Sequence, residues 1–71
     1  MVEMDSKRIL IEVKNYSKTV DKKEVEKFLS DVNTTTCDCG VFISFEQRIA
    51  GKSRISFEVS DSGKQVVFLS Q

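Results

Sequence analysis

One short helix, flanked by runs that suit only strands, restricts the fold of this chain more than any other feature. Val25, Phe28, Leu29 and Val32 recur at i, i+3, i+4 and i+7 and form a single apolar stripe. Asp21 is a natural N-cap, Glu24 three residues on completes a capping box, and Val20 is placed to staple onto Val25. Lys22, Lys23, Glu26, Lys27 and Asp31 fall on the solvated faces, and Asn33 to Thr36 is poor helix material that ends the element. The run that follows, CGVFISF from Cys39 to Phe45, is β-branched and aromatic. It fits a strand buried on both faces, as in a sheet covered by helices. The run that precedes, Arg8 to Lys14, puts Ile9, Ile11 and Val13 on one face and Leu10, Glu12 and Lys14 on the other. Strand, helix, buried strand predicts a βαβ unit, with parallel strands joined by a right-handed crossover.

Two hairpins extend that unit. Met1 to Met4 turns at Asp5-Ser6-Lys7 into the first long strand. At the other end Arg54 to Val59 alternates, with Ile55, Phe57 and Val59 on one side, and the SDSGK turn leads into a final strand from Gln65 to Leu69. The expected fold is α/β: a small mixed sheet of about five strands with one main helix, built as β-hairpin, βαβ, β-hairpin. With no proline and no linker-like run, residues 1–71 read as a single domain.

A chain of 71 residues buries only about 60% of its unfolded surface, so a homodimer or a longer polypeptide is expected to add stability. If the chain is a non-catalytic module, the exposed sheet edge and the hairpin are the surfaces expected to pair. Eleven basic residues balance eleven acidic ones, so any nucleic-acid affinity must come from local placement of charge. No apolar run approaches the ~18 residues a membrane crossing needs, and no signal peptide is evident; the expectation is a soluble intracellular protein, cytoplasmic or associated with the nucleoid or nucleus. The absence of histidine excludes Ser-His-Asp and Cys-His nucleophile designs and removes zinc's usual nitrogen ligand. Cys37 and Cys39 are too few for a zinc site and too close in sequence for an unstrained bridge. They read as small apolar residues leading into a strand.

Glu12 and Lys14 do not fit a strand that only fills a core. A lone buried carboxylate or ammonium costs several kcal/mol unless paired or bound to a metal. An edge strand with both groups solvated, an ion pair across the pleat and a functional site all satisfy that requirement. The pair ends an Ile-Leu-Ile strand, where α/β sheets place ligands.

In this setting ILIEVKNYSK, Ile9 to Lys18, resembles the second half of the motif of the PD-(D/E)xK nuclease superfamily, the restriction-endonuclease-like fold. GVFISFEQRIAGKS is similar to the later strand and loop of its restriction-type and Mrr-like members. The resemblance implies Mg²⁺-dependent (or Mn²⁺-dependent) hydrolysis of DNA phosphodiester bonds. Glu12 would ligate the metal, the backbone carbonyl of Val13 would add a second ligand, and Lys14 would orient the attacking water and stabilise charge on the phosphate. Lys18, Arg48, Lys52 and Arg54 are candidate phosphate contacts, Tyr16 a candidate stacking residue, and Gln47 a candidate supporting residue.

The family pattern also has an aspartate on the first strand, beside the glutamate. With the turn near Ser6, the position opposite Glu12 falls at Met1 or before it. The expectation is therefore a core that begins just after that aspartate, part of a longer nuclease with more polypeptide upstream, and active only if that aspartate is supplied. A short protein that lost the aspartate, or one with Glu3 as a displaced substitute, are the alternatives. A non-catalytic DNA-binding or dimerisation module of the same fold is the competing function.

Overall fold

The computed structural model describes residues 1–15, 19–45 and 47–70. Its elements are β1 (Val2–Met4), β2 (Lys7–Lys14), α1 (Lys22–Thr34), β3 (Cys39–Ser44), β4 (Ile55–Val59) and β5 (Gln65–Leu69). They form one mixed sheet in the order β1-β2-β3-β5-β4. β2, β3 and β5 run parallel, and β1 and β4 close the two edges antiparallel. Among the described residues no helix is long and apolar enough to cross a membrane.

The expected architecture is present, and its details follow from local chemistry. The β1–β2 turn is tighter than expected, two residues instead of three: Asp5 and Ser6 both have positive φ (51° and 66°) and Met4 pairs with Lys7. A turn of that kind matches the twist of the strands it joins. Asp21 caps α1 by accepting the Glu24 N–H at 3.1 Å. The helix runs through Thr34, further than the threonine-rich sequence suggested, because its last turn is capped from outside. Lys64 Nζ donates to the carbonyls of Val32 (2.9 Å) and Thr35 (2.8 Å), placing a cation where the helix dipole is negative. Cys37 is buried and Cys39 half-buried, and both are free thiols.

The helix lies on one face only. Phe28 from α1 meets Phe42 of β3 edge-on, with ring centroids 5.2 Å apart, and Phe68 of β5 at 6.2 Å. Val20, Val25, Val32, Cys37, Ile49 and Val66 complete this core. β3 alternates between buried Gly40, Phe42 and Ser44 and half-buried Cys39, Val41 and Ile43. The expectation of a strand buried on both faces is therefore corrected: α1 covers one side, and the other side, though equally apolar, is open.

Gly40 sets how closely α1 approaches. A Cβ there would lie 2.7 Å from Val32 Cγ2 and 3.0 Å from Phe28 Cζ. Gly40→Ala should therefore cost about 1–3 kcal/mol through overpacking, seen as a lower urea midpoint. An unchanged midpoint would mean the helix can shift freely.

Candidate active site

β2 delivers its side chains alternately to the two sides of the sheet, and Leu10, Glu12 and Lys14 go to the helix side. Glu12 stands in register with the fully buried Phe42, and Lys14 with the buried Ser44. Lys14 is the last residue of β2, and its carbonyl accepts the Phe45 N–H at 3.1 Å. The crossover then returns the chain so that the first turn of α1 lies over this strand end.

That geometry gives Lys14 two carboxylates. Its Nζ is 3.0 Å from Glu12 Oε1 and 3.3 Å from Glu24 Oε2. The lysine side chain keeps 18% of its exposure, the Glu12 side chain 41% and the Glu24 side chain 34%. An ammonium this far withdrawn from water needs compensating charge, and here it has it from two elements at once. The carboxylates stay open enough for solvent or a ligand to reach them. A recess of about 10 Å³, on the scale of one water, lies between Glu12, Glu24, Lys27, Phe28 and Asp31.

Glu24 is the residue that sequence reasoning missed. Its position three residues after Asp21 marked it as half of a capping box, and its N–H does take the cap. Its carboxylate instead reaches across to Lys14. The only sequence signal was its place in the first turn of a helix that must start beside the end of β2.

Glu3 is not a neighbour of Glu12. It pairs with Arg8 across β1–β2, with carboxylate and guanidinium 4.0 Å apart. Each step back along β1 moves one residue forward along β2. Val2 stands opposite Ile9, so no residue of this chain on β1 stands opposite Glu12.

Of the remaining candidates, Gln47, Arg48, Lys52 and Arg54 are among the described residues and follow β3 or precede β4. An isolated parallel bridge joins Val20 to Ile49, with Val20 N–H donating to the Arg48 carbonyl (3.0 Å) and Ala50 N–H to the Val20 carbonyl (2.8 Å). This ties the segment after β3 to the entry of α1. Gln47 is half-buried, and its carbonyl accepts the Ser44 hydroxyl at 2.6 Å. Arg48 and Arg54 are exposed, and the Arg54 carbonyl accepts the Ser70 N–H at the end of β5. Lys52 turns inward: its ammonium pairs with Glu58 and lies 4.8 Å from the centroid of the Phe68 ring. Tyr16 and Lys18 lie outside the described residues.

A divalent cation would find a limited donor set. Among the described residues no three of His, Cys, Asp and Glu are arranged to hold an ion. Glu12, with Glu24 across Lys14, offers hard carboxylate oxygen and nothing soft. Such a site suits a cation like Mg²⁺, which keeps most of its waters and is held by one or two carboxylates plus phosphate. It does not suit a closed protein cage.

The family model Mrr_cat, described as restriction endonuclease, matches residues 2–66, which takes in every element from β1 to the start of β5. No curated protein and no solved structure matches the chain.

Proposed function

The chain belongs to the restriction endonuclease family, and from that premise we propose that it is the core of a nuclease that hydrolyses DNA phosphodiester bonds with Mg²⁺ or Mn²⁺, with Glu12 and Lys14 in its centre, active only when an aspartate is supplied upstream to stand beside Glu12. The observation that carries this reading is the ammonium of Lys14, held at the C-terminal edge of the parallel strands between two partly exposed carboxylates. Ligands of open α/β sheets bind at that edge.

The roles follow from charge. Glu12 would hold the cation through its carboxylate, with the Val13 carbonyl as a second oxygen donor. A divalent cation, when bound, neutralises phosphate charge and supplies hydroxide near neutral pH. Lys14 orients the attacking water and offsets charge that develops on the phosphate. Glu24 gives the Lys14 ammonium a carboxylate partner that does not depend on Glu12, which would leave Glu12 free to hold a cation. Arg48 and Arg54 carry exposed guanidinium groups at the same sheet end and contact phosphates on either side of the scissile bond. Gln47 is offered as a supporting residue at this sheet end, and Tyr16 and Lys18, outside the described residues, remain candidate substrate contacts from the sequence. Lys52 joins them only by leaving Glu58.

The 3.0 Å contact between Glu12 and Lys14 also supports a second reading, a non-catalytic DNA-binding module in which the pair is purely structural. Supercoiled plasmid separates the two. Incubated with the chain extended upstream to carry that aspartate, it should be nicked when Mg²⁺ or Mn²⁺ is present and left intact in a chelator. DNA retention on a gel with no nicking under any divalent cation would favour the module.

A further inference from the structure

Two carboxylates face one ammonium at the end of β2. Glu12 and Glu24 lie 3.0 Å and 3.3 Å from Lys14 Nζ, so these three groups together carry one net negative charge. The next ions along α1 leave that balance unchanged, because Lys27 and Asp31 pair with each other at 3.7 Å. The two carboxylates are anchored differently. Glu12 stands on β2 with Lys14 and is the more exposed of the two. Glu24 is fixed from the helix: Asp21 Oδ1 accepts its N–H at 3.1 Å, and the Asp21 carbonyl accepts the Val25 N–H at 3.3 Å. The entry to that helix is tied in turn to the segment after β3 by the bridge between Val20 and Ile49. Glu24 therefore reaches Lys14 from an anchor separate from β2.

We propose that Lys14 and a divalent cation compete for Glu12, and that Glu24 decides this competition in favour of the cation. Glu24 is then a positioning residue: it holds no cation itself, yet it sets how tightly the site takes one. The proposal rests on the reading that a cation is held at Glu12.

Charge gives the first reason. An ammonium withdrawn from water is costly to leave without a counter-charge. With Glu24 in place, Lys14 gives up Glu12 and still faces a carboxylate. Without Glu24, the charges of Glu12 and Lys14 cancel, and a cation meets no net attraction from the pair.

Distance gives the second. Charge-assisted N–H···O bonds settle at about 2.7–2.9 Å. The 3.3 Å contact between Lys14 and Glu24 is longer than that, so it has closure left to gain once Glu12 is withdrawn. The third reason is that α1 does not need this carboxylate. A glutamate at the third helical position commonly reaches back to the cap residue. Here Asp21 caps the helix while the Glu24 side chain goes to Lys14, so glutamine at position 24 leaves the cap intact.

Calorimetric titration of the 71-residue chain with Mn²⁺ tests this, on the unaltered chain, Glu12→Gln, Glu24→Gln and Lys14→Met. Glu24→Gln should weaken binding about 5- to 20-fold, and Lys14→Met should tighten it about 3- to 10-fold. Urea unfolding should show Glu24→Gln with a midpoint close to that of the unaltered chain, which a purely structural role does not combine with weaker binding. A crystal structure of the Mn²⁺-loaded chain then locates the ammonium. Lys14 Nζ is expected about 2.8 Å from Glu24 and more than about 4 Å from Glu12, with no manganese on Glu24. Unchanged affinity in Glu24→Gln overturns the proposal, as does weaker binding in Lys14→Met or manganese ligated by Glu24. No heat from the unaltered chain overturns the reading at Glu12 as well. Heat that is lost in Glu12→Gln but kept in full by Glu24→Gln overturns this proposal alone. The loaded structure decides the matter even if a variant fails to fold.

Discussion

In the chain extended upstream to carry the family's first-strand aspartate, Lys14→Met is expected to lower DNA cleavage by about 10²- to 10³-fold while leaving the protein folded. The loss is large because the ammonium is the positive group of the protein placed at this strand end to meet charge developing in the transition state. Methionine keeps much of the aliphatic length, so the packing beneath α1 stays filled. What changes in the folded state is that Glu12 and Glu24 lose their shared partner. Both side chains keep a third or more of their exposure, so water can take over part of the lysine's role. Stability should then move by no more than about 1 kcal/mol in either direction. The check is a nicking assay run beside urea unfolding of the same preparation. A variant that unfolds without losing cleavage per folded molecule would assign Lys14 to structure.

Phe42→Ala should remove about a third or more of the stability of the domain, or all of it. Phe42 is completely buried and stands at the centre of the aromatic core, edge-on to Phe28 and 5.8 Å from Phe68. Removing a buried ring of this size costs about 3–5 kcal/mol, from lost transfer energy and the cavity left behind. A domain of this length has only about 4–10 kcal/mol in total. Far-UV circular dichroism against urea measures the effect, and Phe42→Leu should recover most of the loss. Because Phe42 is in register with Glu12, the same substitution also loosens the floor under the candidate site. A Phe42→Ala midpoint close to that of the unaltered chain would mean that some other cluster holds the fold.

How much of this was legible in the sequence depends on whether the signal was local. The helix was, since its stripe, its Asp21 cap and its staple partner lie within a dozen residues. So was the alternation of β2, which put Glu12 and Lys14 together on one face. Alternation does not say which face the helix covers. Nor does an apolar run such as CGVFISF distinguish a strand covered on both sides from one with an open apolar face, because both need the same residues. The insertion of β5 between β3 and β4 depends on pairing between distant segments and leaves no mark in the local pattern. Glu24 shows the same limit in a single residue. Its backbone does what its sequence position suggested, while its carboxylate answers to Lys14, ten residues earlier in the chain and adjacent only after the crossover forms.

The central claim is that Glu12 and Lys14 form a phosphodiester-cleaving site and not just an ion pair. Calorimetric titration with Mn²⁺, run on the unaltered chain and on Glu12→Gln, tests it most directly, because the readout does not depend on turnover. The account predicts a saturable heat for the unaltered chain that disappears in Glu12→Gln, with both proteins equally folded. Binding that persists in Glu12→Gln would place the cation elsewhere, and no heat in either protein would leave the pair as a structural salt bridge.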